Sequence, residues 1–361
     1  MPKPLPVHDD IPDFEAAVLS GLAQPQKVIP ARFFYDRAGS ELFETITDLP
    51  EYYPTRTEIG ILTSHAAAIA AAVGSGRAVI EFGSGSSAKT PLLLRAVDPA
   101  AYVPVDISVE FMAQSAATLA GGFPQLPRLP RTTAPPASVP VDIWAEFLAQ
   151  SAATLAAAFP QLPVLPVAAD FTQGFRLPHR VSGLPKLGFF PGSTLGNLAP
   201  DAAIDLLRSF AETLGRESWL LLGLDLAPSA SKSRQTLEAA YDDAQGVTAA
   251  FNRNLLVRLN RELGGTVKLD DFCHRAVWNG DLGRIEMHLV ALRDTSFLAA
   301  SERFVMEAGE HIHTENSYKW TLEEARLMGR ASGWAPAAHW TDPAARFSLH
   351  LWQRDDGASQ P

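Results

Sequence analysis

An α/β chain wrapped around a mainly parallel, doubly wound sheet is what this sequence predicts, and three observations carry that reading. Short apolar runs of strand length alternate with stretches of helical spacing from Arg77 to Leu226. One run, Arg77 to Phe82, ends in the glycine turn of VIEFGSGSSAKT (Val79 to Thr90) and passes into helical character. Gly83, Asp106, Asp170 and Asn197 all fall at the carboxyl ends of predicted strands, where open parallel sheets place their ligands.

Taken in order, residues up to about Arg56 read as a polar, proline-punctuated N-terminal arm with a short helix around Gly39 to Leu49. Glu58 to Val73 is alanine-rich with helical spacing, Arg77 to Phe82 is a buried strand, and Lys89 to Val97 is again helical. Further strands are expected at Tyr102 to Ile107, Val164 to Ala168, Leu187 to Phe190 and Trp219 to Leu226. Between two of them lies a repeat. Val103 to Pro130 recurs at Val139 to Pro166, a shift of 36 residues with 22 of 28 positions identical. Two copies are too few for a solenoid, so a tandem duplication of one strand-helix unit is the better account. The sheet needs one copy, and the other is an external excursion.

The 361 residues suffice for two domains or one large domain with an insertion, and 47% hydrophobic against 19% charged residues supplies a core. No run reaches the ~18 to 20 apolar residues of a membrane helix, and no secretory leader is visible at the N-terminus. Cys273 is the sole cysteine, which excludes an internal disulfide and points to a reducing cytoplasm. Next to His274 it could be a nucleophile, but a partly buried spectator is the favoured reading. A net charge of -10 without a local Lys/Arg cluster argues against nucleic acid and anionic membranes as partners. The same acidic balance fits a monomer acting on a small molecule.

A strand, then Gly83-x-Gly85, then a helix lets backbone approach a ligand, because glycine has no side chain in the way. Asp106 ends the next strand, where a carboxylate usually accepts from ribose hydroxyls. Gly83-x-Gly85-x-x-Ala88 also satisfies the loose dinucleotide fingerprint, so a nicotinamide-dependent oxidoreductase stays open at this point, as does a plain structural loop. Two details favour S-adenosylmethionine as the cofactor. Glu81 can face a cationic methionine moiety, and Asp170-Phe171 offers an acceptor for the adenine amino group beside a flat apolar wall.

Three later segments offer substrate contacts. FFPGSTLGN (Phe189 to Asn197) is either a tight turn capped by Ser193 and Thr194 or a presentation of Asn197 to a carboxylate or amine. In YDDAQGVTAAFNRN (Tyr241 to Asn254), Asp242 and Asp243 could pair on a metal, but a helical N-terminal turn explains them more cheaply. No zinc-like spacing occurs, so no metal is expected, and His311 and His313 alternate as on a strand. In TENSYK (Thr314 to Lys319), Glu315 and Ser317 share that face and could address one ligand, although a solvated strand face is the favoured reading of spacing alone.

Together these segments resemble the histidine-specific Nα-methyltransferases of ergothioneine biosynthesis. The likeness runs through FFYDRAGSELFETITDLPEYYPTRTE, EFGSGSSAKT, FFPGSTLGN, YDDAQGVTAAFNRNLL, RIEMHL and TENSYK, and covers nearly all of the chain outside the duplicated block. It implies a class I methyltransferase core at residues 57–231 plus 320–361, and a substrate domain from 1–56 plus 232–319. It implies that Gly83, Lys89, Asp106, Asp170 and Phe171 bind S-adenosylmethionine. It also implies that Tyr52, Asn197, Tyr241, Glu315 and Ser317 bind L-histidine, with Tyr35 and Tyr52 the catalytic pair beside the amine. The duplication leaves two candidates for the ribose carboxylate. Asp106 keeps the family-like DIS and is preferred; Asp142 keeps the family-like interval to Asp170 but reads DIW. Asn316 and Leu224 depart from the family pattern. The rival acceptors are another small amino acid or a tryptophan derivative, and Glu315 with Ser317 argues for a ring with two polar nitrogens instead.

Overall fold

The computed structural model describes residues 14–83, 89–106, 159–172 and 174–355. They fall in two compact units, and the chain passes from one to the other three times, at Tyr52–Tyr53, Ser233–Arg234 and Ser317–Tyr318.

The unit that begins at Tyr53 opens with α3 (Tyr53–Val73), which starts earlier than the alanine-rich pattern suggests. Pro54 explains the early start, since a first-turn proline brings a helical φ and gives up an N–H that would have had no partner. Then follow β2 (Ala78–Phe82), α4 (Thr90–Val97), β3 (Ala101–Asp106), β4 (Val167–Ala168), β5 (Lys186–Phe190), α5 (Pro200–Leu214) and β6 (Trp219–Asp225). After the third crossing come α8 (Leu322–Ala331), β12 (Trp334–Thr341) and β13 (Phe347–Arg354). The seven strands lie in the order β12-β13-β6-β5-β2-β3-β4. β13 is antiparallel to both neighbours, while the pairs from β6 to β4 are parallel. The doubly wound sheet is therefore as expected, with one reversed strand.

Both faces are covered, which is why these strands read as unbroken apolar runs. On one face Ile80, Phe82, Val103 and Leu222 meet Leu207 and Phe210 of α5; on the other Val79, Tyr102, Leu187 and Leu221 meet Ile61 and Ile69 of α3 and Leu93 of α4. Burial of each large apolar side chain contributes roughly 1.5–3 kcal/mol. β4 is shorter than its apolar run. Tyr102 and Val164 bridge, and the Leu165 N–H donates to the Tyr102 carbonyl, before Pro166, with no N–H, interrupts the ladder.

The other unit holds α1 (Phe14–Leu22), β1 (Lys27–Val28) and α2 (Arg37–Asp48), then α6 (Arg234–Tyr241) and α7 (Val247–Glu262). Its strands are β7 (Phe272–Asn279), β8 (Arg284–Ala291), the hairpin β9 (Thr295–Ala299) and β10 (Glu302–Met306), and β11 (His311–Tyr318), which runs to the third crossing. The sheet order is β1-β11-β8-β7. Asp36 caps α2 by accepting from the Gly39 N–H at 2.8 Å, and also accepts from Asn254 and Arg261 of α7, tying the two helices together. Asp243 accepts from the backbone N–H groups of Val247 and Thr248, so it caps α7 and the cheaper explanation of the aspartate pair is the observed one. Cys273 lies half-buried on β7. Among the described residues no helix is long and apolar enough to cross a membrane, and no group of three or more His, Cys, Asp or Glu is arranged to hold a metal ion.

Candidate functional site

In the unit beginning at Tyr53, the chemistry gathers at the carboxyl ends of β2, β3, β5 and β6. Gly83, directly after β2, has φ +72°, a conformation that any other residue holds at a cost. A Cβ there would lie 3.4 Å from the Phe171 ring, so Gly83 sits directly beside that ring. Phe171 is itself braced edge-on against Phe190 and Phe82. Asp106 closes β3, and Asp170 accepts from both the N–H and the hydroxyl of Thr172 through one oxygen, an Asx turn that fixes its direction.

Two buried carboxylates organise this end of the sheet. Glu81 accepts from the hydroxyls of Thr90 and Tyr102, which joins β2, α4 and β3. Glu58, on α3, accepts from the Gly192 N–H at 2.9 Å and pairs with the Lys89 ammonium at 2.5 Å. Lys89 thereby ties the segment after the glycine turn to the proline-glycine bend. Glu58 lies flat on β6, where any Cβ on Gly223 would collide with its carboxylate. Asn197 ends a short 3-10 helix, Thr194–Asn197, that follows Ser193 in the left-handed region at φ 58°.

A third carboxylate, Asp225, ends β6. It accepts from the Tyr53 hydroxyl at 2.9 and 3.0 Å, from Lys232 at 2.6 Å and from Lys319 at 2.8 Å. Burial alone would raise its pKa, but the ammonium groups of Lys319 and Lys232 together hold it below the usual carboxylate range. Its backbone N–H donates to Ser193 Oγ, and its carbonyl accepts from the Trp320 N–H.

In the other unit three tyrosines and a carboxylate converge. The Tyr241 and Ser317 hydroxyls are 2.8 Å apart, and the Tyr52 ring stands edge-on to Tyr241 with centroids 6.1 Å apart. Tyr35 is packed edge-on by Phe43 and Phe251. Burial first, then the charges of Glu315, Tyr52 and Tyr241, push the Tyr35 hydroxyl well above its ordinary pKa. Tyr241 is held from behind by His274, whose Nε2 donates to the Tyr241 carbonyl at 2.8 Å while Nδ1 accepts from Asn252 Nδ2 at 2.8 Å.

With the geometry in view, comparison with known proteins becomes informative. The profile described as "Histidine-specific methyltransferase, SAM-dependent" matches residues 14–134 and 130–354. The chain belongs to that family. Each matched segment of this histidine-specific methyltransferase contains one whole copy of the repeat. The Histidine N-alpha-methyltransferase of Mycolicibacterium smegmatis is 38% identical over 341 residues, 92% of either chain. The protein of that name from Mycobacterium tuberculosis is 36% identical over 340 residues, again 92% of each. Ergothioneine biosynthesis protein 1 of Neurospora crassa is 26% identical over 330 residues, 90% of this chain but 33% of the longer relative. The sheet described above is that of a class I methyltransferase, with S-adenosylmethionine as its cofactor.

The structure gathers the residues singled out from sequence as follows. Gly83, Lys89, Asp106, Asp170 and Phe171 share the unit of the large sheet, and so does Asn197. Tyr35, Tyr52, Tyr241, Glu315 and Ser317 share the other. Asp142 lies outside the described residues. Sequence reading missed Phe43, Phe251, Asn252 and His274, which shape and brace the tyrosine cluster. Phe251 and Asn252 sit inside the quoted YDDAQGVTAAFNRN segment, so the signal was present, but nothing in it links them to Tyr35 or to a strand residue such as His274.

Proposed function

We propose that this chain transfers the methyl group of S-adenosylmethionine to the α-amino nitrogen of L-histidine, up to three times in succession, giving trimethylhistidine (hercynine) for ergothioneine biosynthesis. The carrying observation is the Glu315/Ser317 pair, two residues apart on β11 in a chain of the histidine-specific family, with Tyr241 hydrogen-bonded to the serine. Glu315 accepts from the ring N–H. Ser317 turns its own hydrogen to the unprotonated ring nitrogen. A neutral imidazole satisfies both groups, whereas a ring with one polar nitrogen strands a buried donor or acceptor.

S-adenosylmethionine supplies a methyl carbon bonded to a positively charged sulfur. Gly83 would leave room for it, Asp106 would accept from the ribose, Asp170 and Phe171 would take the adenine, and Lys89 would fix the turn beside it. Asn197 is assigned to the substrate carboxylate on the FFPGSTLGN motif, together with Tyr241, whose one hydroxyl hydrogen would turn from Ser317 to the carboxylate. Tyr35 and Tyr52 border the amine. Since Tyr35 keeps its proton at physiological pH, it orients the amine through a hydrogen bond and does not serve as a phenolate base. The chain's contribution is to bind the amine in its neutral form, aim its lone pair and exclude water. Each transfer forms an N–CH3 bond as the methyl–sulfur bond breaks; the first two release a proton from nitrogen to solvent, and the third uses the last lone pair, so the sequence ends at a quaternary nitrogen. The single cysteine and acidic composition support a monomer working in the cytoplasm.

Mass spectrometry of L-histidine incubated with the enzyme and S-adenosylmethionine tests this directly. One, two and three added methyl groups on the α-nitrogen are expected. Unmodified histidine alongside a methylated tryptophan derivative or other amino acid would transfer the assignment to that acceptor.

A further inference from the structure

We propose that Asp225 is a positioning residue for substrate binding: it fixes the three backbone segments from which the histidine-binding side chains Tyr52, Tyr241 and Ser317 extend. This rests on the histidine reading above, and it concerns a residue that the reading leaves unused.

The three places where the chain changes units are far apart in sequence, yet a residue beside each is bonded to the same carboxylate. Tyr53 begins the unit after the first crossing, Lys232 stands just before the second, and Lys319 lies just after the third. All three side chains meet Asp225, and all four residues are buried, with Lys232 and Asp225 at 0% and 1% exposure. Two histidine contacts lie directly across these crossings, and the third ends the helix that the second crossing opens. Tyr52 precedes Tyr53, Ser317 precedes Tyr318, and Arg234 opens the two-turn helix α6 that ends at Tyr241. Adjacent Cα atoms are ~3.8 Å apart, so a shift of an anchor is passed on almost undiminished.

Stability alone is a poor reason for this cluster. Two ammonium groups sharing one buried carboxylate must all be stripped of water, and apolar residues of similar volume usually do as well or better. What such a cluster supplies is direction. Lys232 is saturated by Asp225 and by the carbonyls of Leu226 and Arg346, and its ammonium lies 5.0 Å from the Tyr53 ring centroid. Asp225 also holds Ser193 through its N–H, at the start of the turn that ends in Asn197, so the fourth histidine contact is tethered to the same residue. Misplacing a bound substrate by about 1 Å can cost on the order of 100-fold in rate.

The test uses the full chain and three proteins: wild type, Tyr53→Phe and Asp225→Asn. Tyr53→Phe removes one hydroxyl and keeps the ring, so it remains informative even where Asp225→Asn fails to fold. The readouts are the KM and kcat for histidine and the Kd for S-adenosylhomocysteine. Expected for Tyr53→Phe is a KM for histidine raised about fivefold or more, with the S-adenosylhomocysteine Kd within twofold of wild type; Asp225→Asn, where folded, shows the same split more strongly. A lowered melting temperature with histidine KM and kcat unchanged in Tyr53→Phe would reduce Asp225 to a purely structural residue and overturn the proposal. So would an equal loss of histidine and S-adenosylhomocysteine binding. Wild type inactive on histidine sinks the functional reading instead, so the two failures are distinguishable.

Discussion

A phenol surrounded by a carboxylate and two other phenols keeps its proton, and that fact limits what Tyr35 can do. Burial and the Glu315 charge act in the same direction, so the proposed role for Tyr35 is that of a hydrogen-bonding phenol across the physiological range. Glu315 adds to the effect of burial in raising the Tyr35 pKa, and its proposed role is to hold a ring N–H. Removing it with Glu315→Ala is expected to cost about 1.5–3 kcal/mol of histidine binding, roughly 10- to 150-fold in KM, the range for a hydrogen bond to a charged group. S-adenosylhomocysteine titration of the same variant should be unchanged; equal losses for both ligands would place Glu315 in a structural role. At this scale the sequence was partly legible. Glu315 and Ser317 could be paired because a strand repeats every two residues, and Phe171 could be placed by its motif. The hydroxyl partners of Glu81 were not legible, because Thr90 and Tyr102 are brought to it by the start of α4 and by sheet pairing, neither of which a glycine motif encodes.

Among elements, the parallel strands buried on both faces were legible, since a doubly covered strand writes an unbroken apolar run; β13, equally buried, was not, because Ser348 and His350 interrupt its run. Where prolines intervene the pattern misleads: Pro166 cuts β4 short, and Pro54 starts α3 early. β11 carries more than its motif suggests. Its site face runs His311, His313, Glu315, Ser317, and the two histidines pack on His288 of β8, with His288 and His311 Nδ1 atoms 2.9 Å apart. Burial, and then the neighbouring His313 and His311, depress the His288 pKa to about 4, with Glu286 opposing at 3.2 Å. The folded chain therefore refuses a proton that the unfolded chain binds below about 6.5, so stability falls as pH falls from about 6.5 to 4. By pH 5 the loss from this one group is about 2 kcal/mol. Urea midpoints at pH 7 and pH 5 should show the drop, and His288→Gln should blunt it. An identical drop in the variant would assign the acid sensitivity to other groups, such as buried His350.

For the molecule as a whole, local patterning announces the sheet, whereas the partition was expected from the family resemblance alone, because the two units are assembled from segments that alternate along the chain. No local pattern marks Tyr52–Tyr53 as a boundary when it falls inside a continuous polar-to-helical stretch. The duplication poses the remaining question at this scale. The strand paired to β2 is Ala101–Asp106, which runs into the first copy and ends at Asp106, the proposed ribose ligand. Asp106→Ala is then expected to weaken S-adenosylhomocysteine binding on the order of 10- to 100-fold, with Asp142→Ala near wild type by calorimetry. The reverse result would hand the role to the second copy.

That strand has a partner from the other copy. β3 runs into the first, yet the bridge to its Tyr102 comes from Val164, near the end of the second. The sheet thus enters the duplicated block at its head and leaves it at its tail. Excising residues 107–142 would join Asp106 to Ile143, restore a single uninterrupted VPVDIWAEFLAQ, and discard no described residue. In that shortened chain the contest between two aspartates dissolves, because both fall on one position.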